Sequence, residues 1–180
     1  MAELVDALVS KTSGLLPVSV RLRLQALFLC TMKDPSAPLH PYKDKQKAFD
    51  RRYIEMARIW AKNSYCEKRK VGALIVKEKM IISDGYNGTP SGFENVCEDE
   101  NFRTKPYVLH AEANAITKVA KSNNSSENST LYVTTSPCLE CAKLIIQSGI
   151  IRVVYTDRKT TNDGIPLLER ANIEVEQIDI

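Results

Sequence analysis

The chain contains little histidine and no long hydrophobic segment. Two of its 180 residues are histidine. No run of the roughly 18 apolar residues that a transmembrane helix requires occurs, so we expect no membrane span. The acidic residues Glu3 and Asp6 precede the first cation, Lys11, whereas a secretory signal begins with positive charge. These absences favour a cytoplasmic protein.

A strong positive charge is also missing. The formal net charge is +3, and this surplus lies within residues 1–47, which leaves the rest of the chain balanced. Proteins that follow a phosphate backbone usually carry a basic stripe, but the longest cationic run here is Lys68-Arg69-Lys70. A polymeric nucleic acid is therefore disfavoured as the substrate.

The length suits one domain, and a hydrophobic share of 43% is enough for a core. We assign residues 47–180 to this domain and residues 1–46 to an N-terminal extension. Residues 1–31 resemble the conceptual translation of a bacterial leucine transfer-RNA gene, which favours Met32 as the initiator. The alternative is an amphipathic arm that covers a partner with Leu4, Leu8, Leu15 and Leu16. Residues 34–46 contain three prolines and predict an extended lead-in.

Hydrophobic periodicity beyond the lead-in predicts alternating helices and strands. A helix begins at Phe49, and residues 71–76 and 80–83 form a hairpin. The later helices are predicted at residues 111–119, 139–147 and 165–171, and the later strands at 131–135, 150–155 and 173–178. Gly149 is expected to end the second of these helices in a left-handed conformation. This order predicts a layered α/β fold with helices on both faces of the sheet.

Two short motifs carry the chemistry. His110-Ala111-Glu112 opens one predicted helix, and Pro137-Cys138-Leu139-Glu140-Cys141 opens the next, directly after a strand. Together they form the H-x-E…P-C-x-x-C signature of zinc deaminases. One imidazole and two thiolates are three protein ligands, which leaves the fourth tetrahedral position of a zinc ion to water, as in catalytic sites. The helix N-termini help to keep both sulfurs ionised.

Glu112 is the predicted catalytic residue. It lies two positions from the ligand His110, so it can reach a metal-bound water without joining the coordination sphere, and it can move the proton to the ring nitrogen and the leaving ammonia. The alternative is a structural zinc, which needs a fourth protein ligand. The other residues that could supply it are His40, Cys30, Cys66 and Cys97.

Three further segments resemble the deoxycytidylate (dCMP) deaminase family. They are Val71-Gly72-Ala73-Leu74-Ile75-Val76, Gly85-Tyr86-Asn87-Gly88-Thr89-Pro90-Ser91-Gly92 and the run from Cys141 to Ile150. The resemblance extends from about Tyr53 to Glu174. It implies a cytidine-deaminase-like three-layer α/β/α sandwich with a central mixed sheet of about five strands. It also implies hydrolysis of dCMP to dUMP and ammonia by attack of a zinc-bound hydroxide on C4, which feeds thymidylate synthesis.

The same resemblance implies the substrate contacts. Asn87 is expected to bind the sugar, and the glycine-rich loop that follows is expected to lie near the nucleotide. The implied contact residues are Asn87, Gly88, Thr89, Pro90, Ala111, Ser136 and Tyr155. The phosphate-binding residue is left open because relatives place a tyrosine and an arginine where this chain has Lys159 and Lys121; the candidates are Arg69, Lys121, Arg158 and Lys159.

Some family members bind a second, structural zinc, but this chain departs from that pattern. It keeps Cys66 yet has Val108 and lacks a second core histidine, so we expect one zinc per chain. Cys97 is expected to be a packed or free thiol. The resemblance further implies a homohexamer that is activated by dCTP with Mg²⁺ and inhibited by dTTP.

Three rival functions remain open. The first is a deaminase of the same fold acting on a nucleoside, guanine or a riboflavin precursor. The second is a base deaminase of transfer RNA or another nucleic acid. The third is a zinc-stabilised interaction module without catalysis, which would unfold on chelation and release no ammonia.

Overall fold

The computed structural model describes residues 41–158 and 163–180. Residues 45–180 form one compact unit, which includes the domain assigned to residues 47–180. The predictions for residues 1–31 and for the start of the lead-in lie outside the described residues, and so does Lys159. No helix among the described residues combines the length and the apolar character needed to cross a membrane.

Four helices and five strands alternate along the described chain. They are α1 (Pro41–Ala61), β1 (Gly72–Lys77), β2 (Met80–Tyr86), α2 (Ala111–Ala120), β3 (Thr130–Thr135), α3 (Leu139–Gln147), β4 (Arg152–Asp157), α4 (Gly164–Arg170) and β5 (Glu174–Gln177). The strand order in the sheet is β2-β1-β3-β4-β5. β1 is antiparallel to both of its neighbours, and β3, β4 and β5 are parallel to one another.

Alternate side chains of the central strands point to opposite faces of the sheet, as the two-residue period of a strand requires. Ala73 and Ile75 of β1 join a core that includes residues of α2, α3 and α4. Leu74 and Val76 join a second core with Tyr53, Ile54 and Ala57 of α1. The mixed five-stranded sheet therefore lies between two helical layers, and the predicted three-layer cytidine-deaminase-like sandwich is confirmed.

Most predicted elements agree with the structure, but α1 does not begin where expected. It begins at Pro41 rather than Phe49, so the prediction of an extended lead-in is wrong for residues 41–46. Proline is well tolerated at the first position of a helix, where its missing N–H has no partner to lose. Within this early part the side-chain amide of Gln46 donates to Asp50 Oδ1 at 2.9 Å, one turn later.

β2 extends to Tyr86, beyond the predicted end at residue 83. A Cβ at Gly85 would lie 2.2 Å from the carbonyl oxygen of Ala111, so the glycine allows α2 to cross the strand at backbone contact. This contact sets the first turn of α2, where the H-x-E motif begins, directly against the sheet.

Candidate active site

His110 and Cys138 each occupy the N-cap position of a helix. Both have extended backbones, with φ −73° and ψ 156° at His110 and φ −80° and ψ 172° at Cys138. Cys141 lies in the first turn of α3. Because α2 and α3 pack on the same face of the sheet, their N-termini bring the two motifs together.

The three predicted zinc ligands converge. His110 Nδ1 lies 3.3 Å from Cys141 Sγ and 3.4 Å from Cys138 Sγ. The potential ligand atoms of all three residues lie within 4.8 Å of one another. One imidazole nitrogen and two sulfurs at this spacing match the donor set that zinc prefers.

Among the described residues, no histidine, cysteine or carboxylate joins these three as a fourth ligand. Cys66 and Cys97, which the sequence left open as further ligands, are bonded to each other in a disulfide. His40 and Cys30 lie outside the described residues. Three protein donors fit a catalytic zinc, in which a non-protein ligand completes the tetrahedron.

The pKa values of the two cysteine thiols are shifted in opposite directions. Hydrogen bonds from the Cys141 thiol and from His110 lower the pKa of Cys138 to about 3. The pKa of Cys141 is raised because its proton is held by Cys138, and because burial and the negative charge of Glu112 disfavour a second thiolate. Such a pair becomes a dithiolate when a divalent cation displaces the proton.

Glu112 lies in the first turn of α2 and is only 4% exposed. It lines a cavity of about 200 Å³ together with His110. Its carboxylate is outside the three-donor group, yet it faces the same cavity. A buried carboxylate beside a metal site, but not bound in it, is suited to moving protons.

The same cavity contains several of the residues expected to contact substrate. Asn87, Ala111 and Ser136 line it, as does Arg69, one of the candidates for the phosphate. The structure adds wall residues that the sequence analysis missed, including Lys68, Glu98, Thr104 and Thr135. Lys68 belongs to the longest cationic run, which was a usable signal. Nothing in the local sequence singled out Glu98.

The side chain of Asn87 makes two hydrogen bonds to backbone groups. Its Nδ2 donates to the carbonyl oxygen of Arg69 at 2.8 Å, and its Oδ1 accepts from the N–H of Val71 at 2.7 Å. An amide side chain has two N–H donors and two lone pairs, so one of each is left for another partner. The expected contact with the sugar is compatible with this second role.

Other predicted contacts lie elsewhere. Gly88, Thr89 and Pro90 line a neighbouring cavity of about 540 Å³. Tyr155 belongs to the core, and its hydroxyl lies 3.4 Å from Gln177 Oε1. Lys121 is the C-cap of α2, so the whole helix of 10 residues separates it from the cavity. Arg158 follows β4 and does not line the cavity.

The prediction that Cys97 is a packed or free thiol is wrong. Cys97 forms a disulfide with Cys66, 31 residues earlier in the sequence. The ligand role predicted for Cys138 and Cys141 is unaffected, because neither takes part in this disulfide. The two loops that carry Cys66 and Cys97 are brought together by the fold, which a linear spacing does not reveal.

Comparison with known proteins assigns this arrangement to a family. Residues 47–157 match the family model of the cytidine and deoxycytidylate deaminase zinc-binding region. Deoxycytidylate deaminase of Saccharomyces cerevisiae is 36% identical over 151 residues, which cover 75% of this chain and 48% of the yeast protein. The chain thus spans about half the length of that relative.

Two solved structures are also similar. dCMP deaminase of the cyanophage S-TIM5, crystallised with dCMP and dUMP, superimposes with a TM-score of 0.70 at 41% identity, and the match covers 78% of this chain and 100% of the phage chain. A deaminase–reductase of Thermotoga maritima that acts on a diaminohydroxyphosphoribosylaminopyrimidine gives 0.58 at 27% identity, covering 72% of this chain and 36% of the other.

Proposed function

Because the chain belongs to the cytidine and deoxycytidylate deaminase family, we propose that it hydrolyses dCMP to dUMP and ammonia. The observation that carries the proposal is the convergence of His110, Cys138 and Cys141 in one donor group. The buried carboxylate of Glu112 lies in the cavity wall together with His110. The phage relative, which was solved with dCMP and dUMP, supports this choice of substrate over other amines.

The three donors would hold one zinc ion. A zinc ion in such a site supplies a Lewis acid that lowers the pKa of a bound water to about 7. Glu112 would take one proton from the attacking water and deliver it to N3 of the pyrimidine. It would then take the second proton from the hydroxyl group added at C4 and deliver it to the amine, which departs as ammonia. Burial of Glu112 keeps bulk water from competing for these protons, so the carboxylate acts as a shuttle between fixed atoms.

The cavity also offers charge for the substrate's phosphate. Lys68 and Arg69 line the same wall as Asn87, whereas Lys121 is at the far end of α2. Arg69, with Lys68 beside it, is therefore the best candidate for the phosphate contact. A guanidinium matches a phosphate through two parallel hydrogen bonds, and an ammonium adds a compact charge.

Four further properties are proposed from the resemblance to the family. They are a homohexameric assembly, activation by dCTP with Mg²⁺, inhibition by dTTP and a cytoplasmic location. A role in supplying deoxyuridylate for thymidylate synthesis follows from the proposed product. The balanced charge of the domain supports a free nucleotide over a nucleic acid as the substrate.

The decisive experiment measures ammonia release from dCMP, CMP and deoxycytidine, with and without dCTP. We expect dCMP to be turned over with a kcat/KM about tenfold or more above that of deoxycytidine, because dCMP has a phosphate to engage the cations of the cavity wall and deoxycytidine has none. The riboflavin-pathway pyrimidine and guanine serve as competing substrates. Preferred turnover of either one, or no ammonia from any of them by the zinc-loaded protein, would overturn the proposal.

A further inference from the structure

The segment between α1 and β1 carries the proposed phosphate-binding cations. We call residues 66–71 the basic loop; it contains the consecutive cations Lys68, Arg69 and Lys70. The first two line the cavity beside Glu112. The loop belongs to no helix or strand, so other contacts must fix its position.

The basic loop is held in place at several points. Cys66 is bonded to Cys97, and the amide of Asn87 joins the carbonyl oxygen of Arg69 and the N–H of Val71. Between these points, Glu98 contacts the backbone that carries the cations. Its Oε2 accepts from the N–H of Glu67 and its Oε1 from the N–H of Lys68, each at 3.3 Å.

Glu98 is itself fixed. It is 9% exposed, follows the disulfide-bonded Cys97 and forms a β-bridge with Thr104. The N–H of Lys105 donates to the carbonyl oxygen of Cys97 at 2.8 Å. A carboxylate held in this way offers a rigid acceptor to two successive N–H groups, and bonds to a charged acceptor are stronger than those between neutral groups.

From this geometry we infer that Glu98 is a positioning residue for phosphate recognition, which fixes the basic loop so that Lys68 and Arg69 face the nucleotide. The inference rests on the proposed function, since it assigns to Glu98 the placement of the groups that read the phosphate. Lysine and arginine side chains lose rotational freedom on binding an anion, and a mobile backbone would add to that loss. Because Glu98 already holds the backbone of the loop in place, that part of the conformational freedom is lost on folding and not on substrate binding.

A carboxylate in the cavity wall also repels a phosphate. If Glu98 acted only through its charge, its removal would therefore change dCMP binding in the opposite direction. Removing a merely repulsive charge would tighten the binding of dCMP. Removing a positioning residue would weaken it, and would leave deoxycytidine unaffected because that substrate has no phosphate. The direction of the change and its dependence on the phosphate therefore separate the two roles.

The test compares E98A and E98Q with D99N in the zinc-loaded full chain. Asp99 is a matched control, because its Oδ1 also accepts two backbone N–H groups, those of Asn101 and Arg103, but within its own loop and away from the cavity. We expect E98A to raise KM for dCMP about tenfold, which corresponds to the loss of bonds to a charged acceptor. We expect kcat to stay within about twofold and deoxycytidine turnover to be unchanged.

The conservative variant keeps the test open if E98A does not fold. The amide of E98Q retains one oxygen acceptor, so we expect a rise in KM of about threefold, roughly half the free-energy effect. R69A should reduce dCMP selectivity, and E98A should add little to R69A, because both changes act on the same contact. D99N should behave as the unaltered protein does.

Equilibrium binding of dUMP and deoxyuridine, measured by calorimetry, tests the inference without turnover. E98A should weaken dUMP about tenfold and leave deoxyuridine unchanged. Equal losses for both ligands, tighter dUMP binding, or a D99N effect as large as that of E98A would overturn it. Failure of the proposed function has a different signature, namely an unaltered protein that binds dUMP through its phosphate but releases no ammonia from dCMP.

Discussion

Gly164 lies against the carbonyl oxygen of Pro137 at backbone contact: a Cβ at Gly164 would be 2.4 Å from that oxygen and 2.7 Å from the carbonyl oxygen of Cys138. The first residue of α4 thus supports the turn that presents a zinc ligand. Only glycine permits this approach, because the backbone of the turn has no side chain that could move aside.

The variant G164A should displace that turn and loosen the zinc site. We expect the zinc dissociation constant to rise by about tenfold or more, within the range seen when the support of a metal ligand is lost. E169A, on the exposed surface of the same helix, is the matched control and should bind zinc normally. Competition with a chromogenic chelator measures both. Normal zinc affinity in G164A would show that the turn does not depend on this contact.

The variant E112Q should separate metal binding from turnover. Glutamine keeps the shape of the side chain but cannot accept the proton, so we expect zinc content to persist and kcat to fall by about 10²-fold to 10⁴-fold. Metal analysis and ammonia release are the two measurements. E140Q is the control, because Glu140 lies between the two cysteine ligands and its side chain is 76% exposed. Appreciable turnover by E112Q would contradict the proton-shuttle role.

Asp50 anchors α1 to the sheet from a buried position. It is 1% exposed and pairs through both carboxylate oxygens with Arg152 at 2.9 Å, while Tyr132 Oη donates to it at 2.6 Å. D50N should lower the free energy of unfolding by about 3 kcal/mol. This is the lower end of the range for a broken buried pair, because Arg152 keeps contacts with Glu174 and Glu176.

The effect of D50N should depend on pH. Burial raises the pKa of Asp50, but the hydrogen bonds from Arg152, Tyr132 and Gln46 outweigh it, and the pKa in the folded protein is lowered. The stabilisation by the ionised carboxylate is therefore complete above the unfolded pKa of about 4 and is lost as the pH falls through the folded value. Urea unfolding of both proteins at pH 7 and pH 3 should show the difference shrinking. D179N, at an exposed carboxylate, should show no such change.

The Cys66–Cys97 disulfide should contribute measurably to stability. It closes a loop of 31 residues, for which the chain-entropy estimate is about 3 to 4 kcal/mol. C66S/C97S should unfold at a lower urea concentration than the oxidised protein and close to that of the dithiol-reduced protein. Thiol titration of the unfolded chain before and after reduction counts the two sulfurs. Equal thiol counts before and after reduction would contradict the disulfide bond. Equal stability of the oxidised protein and the double variant would contradict its stabilising role.

The sequence-based predictions succeeded where the signal is local. The run at residues 139–147 predicted α3 to the residue, and Gly149 has the expected left-handed conformation with φ +74°. They failed where a contact with a residue distant in the sequence set the structure. The strand that was predicted to end at residue 83 continues to Tyr86, and its Gly85 lies against the backbone of α2. The roles assigned to substrate-contact residues remain predictions.

The sequence by itself determined the alternation of helices and strands, the donor types of the zinc site and the carboxylate beside them, because periodicity and short motif spacings depend on neighbouring residues. Only the tertiary structure decided which residues share the cavity. It paired Cys66 with Cys97, brought Glu98 to the backbone of Lys68 and set Lys121 apart. The first two contacts join residues about 30 positions apart in the sequence, and Lys121 lies one helix length away from the cavity. Both relationships depend on how the helices, strands and loops pack, which no local sequence pattern reveals.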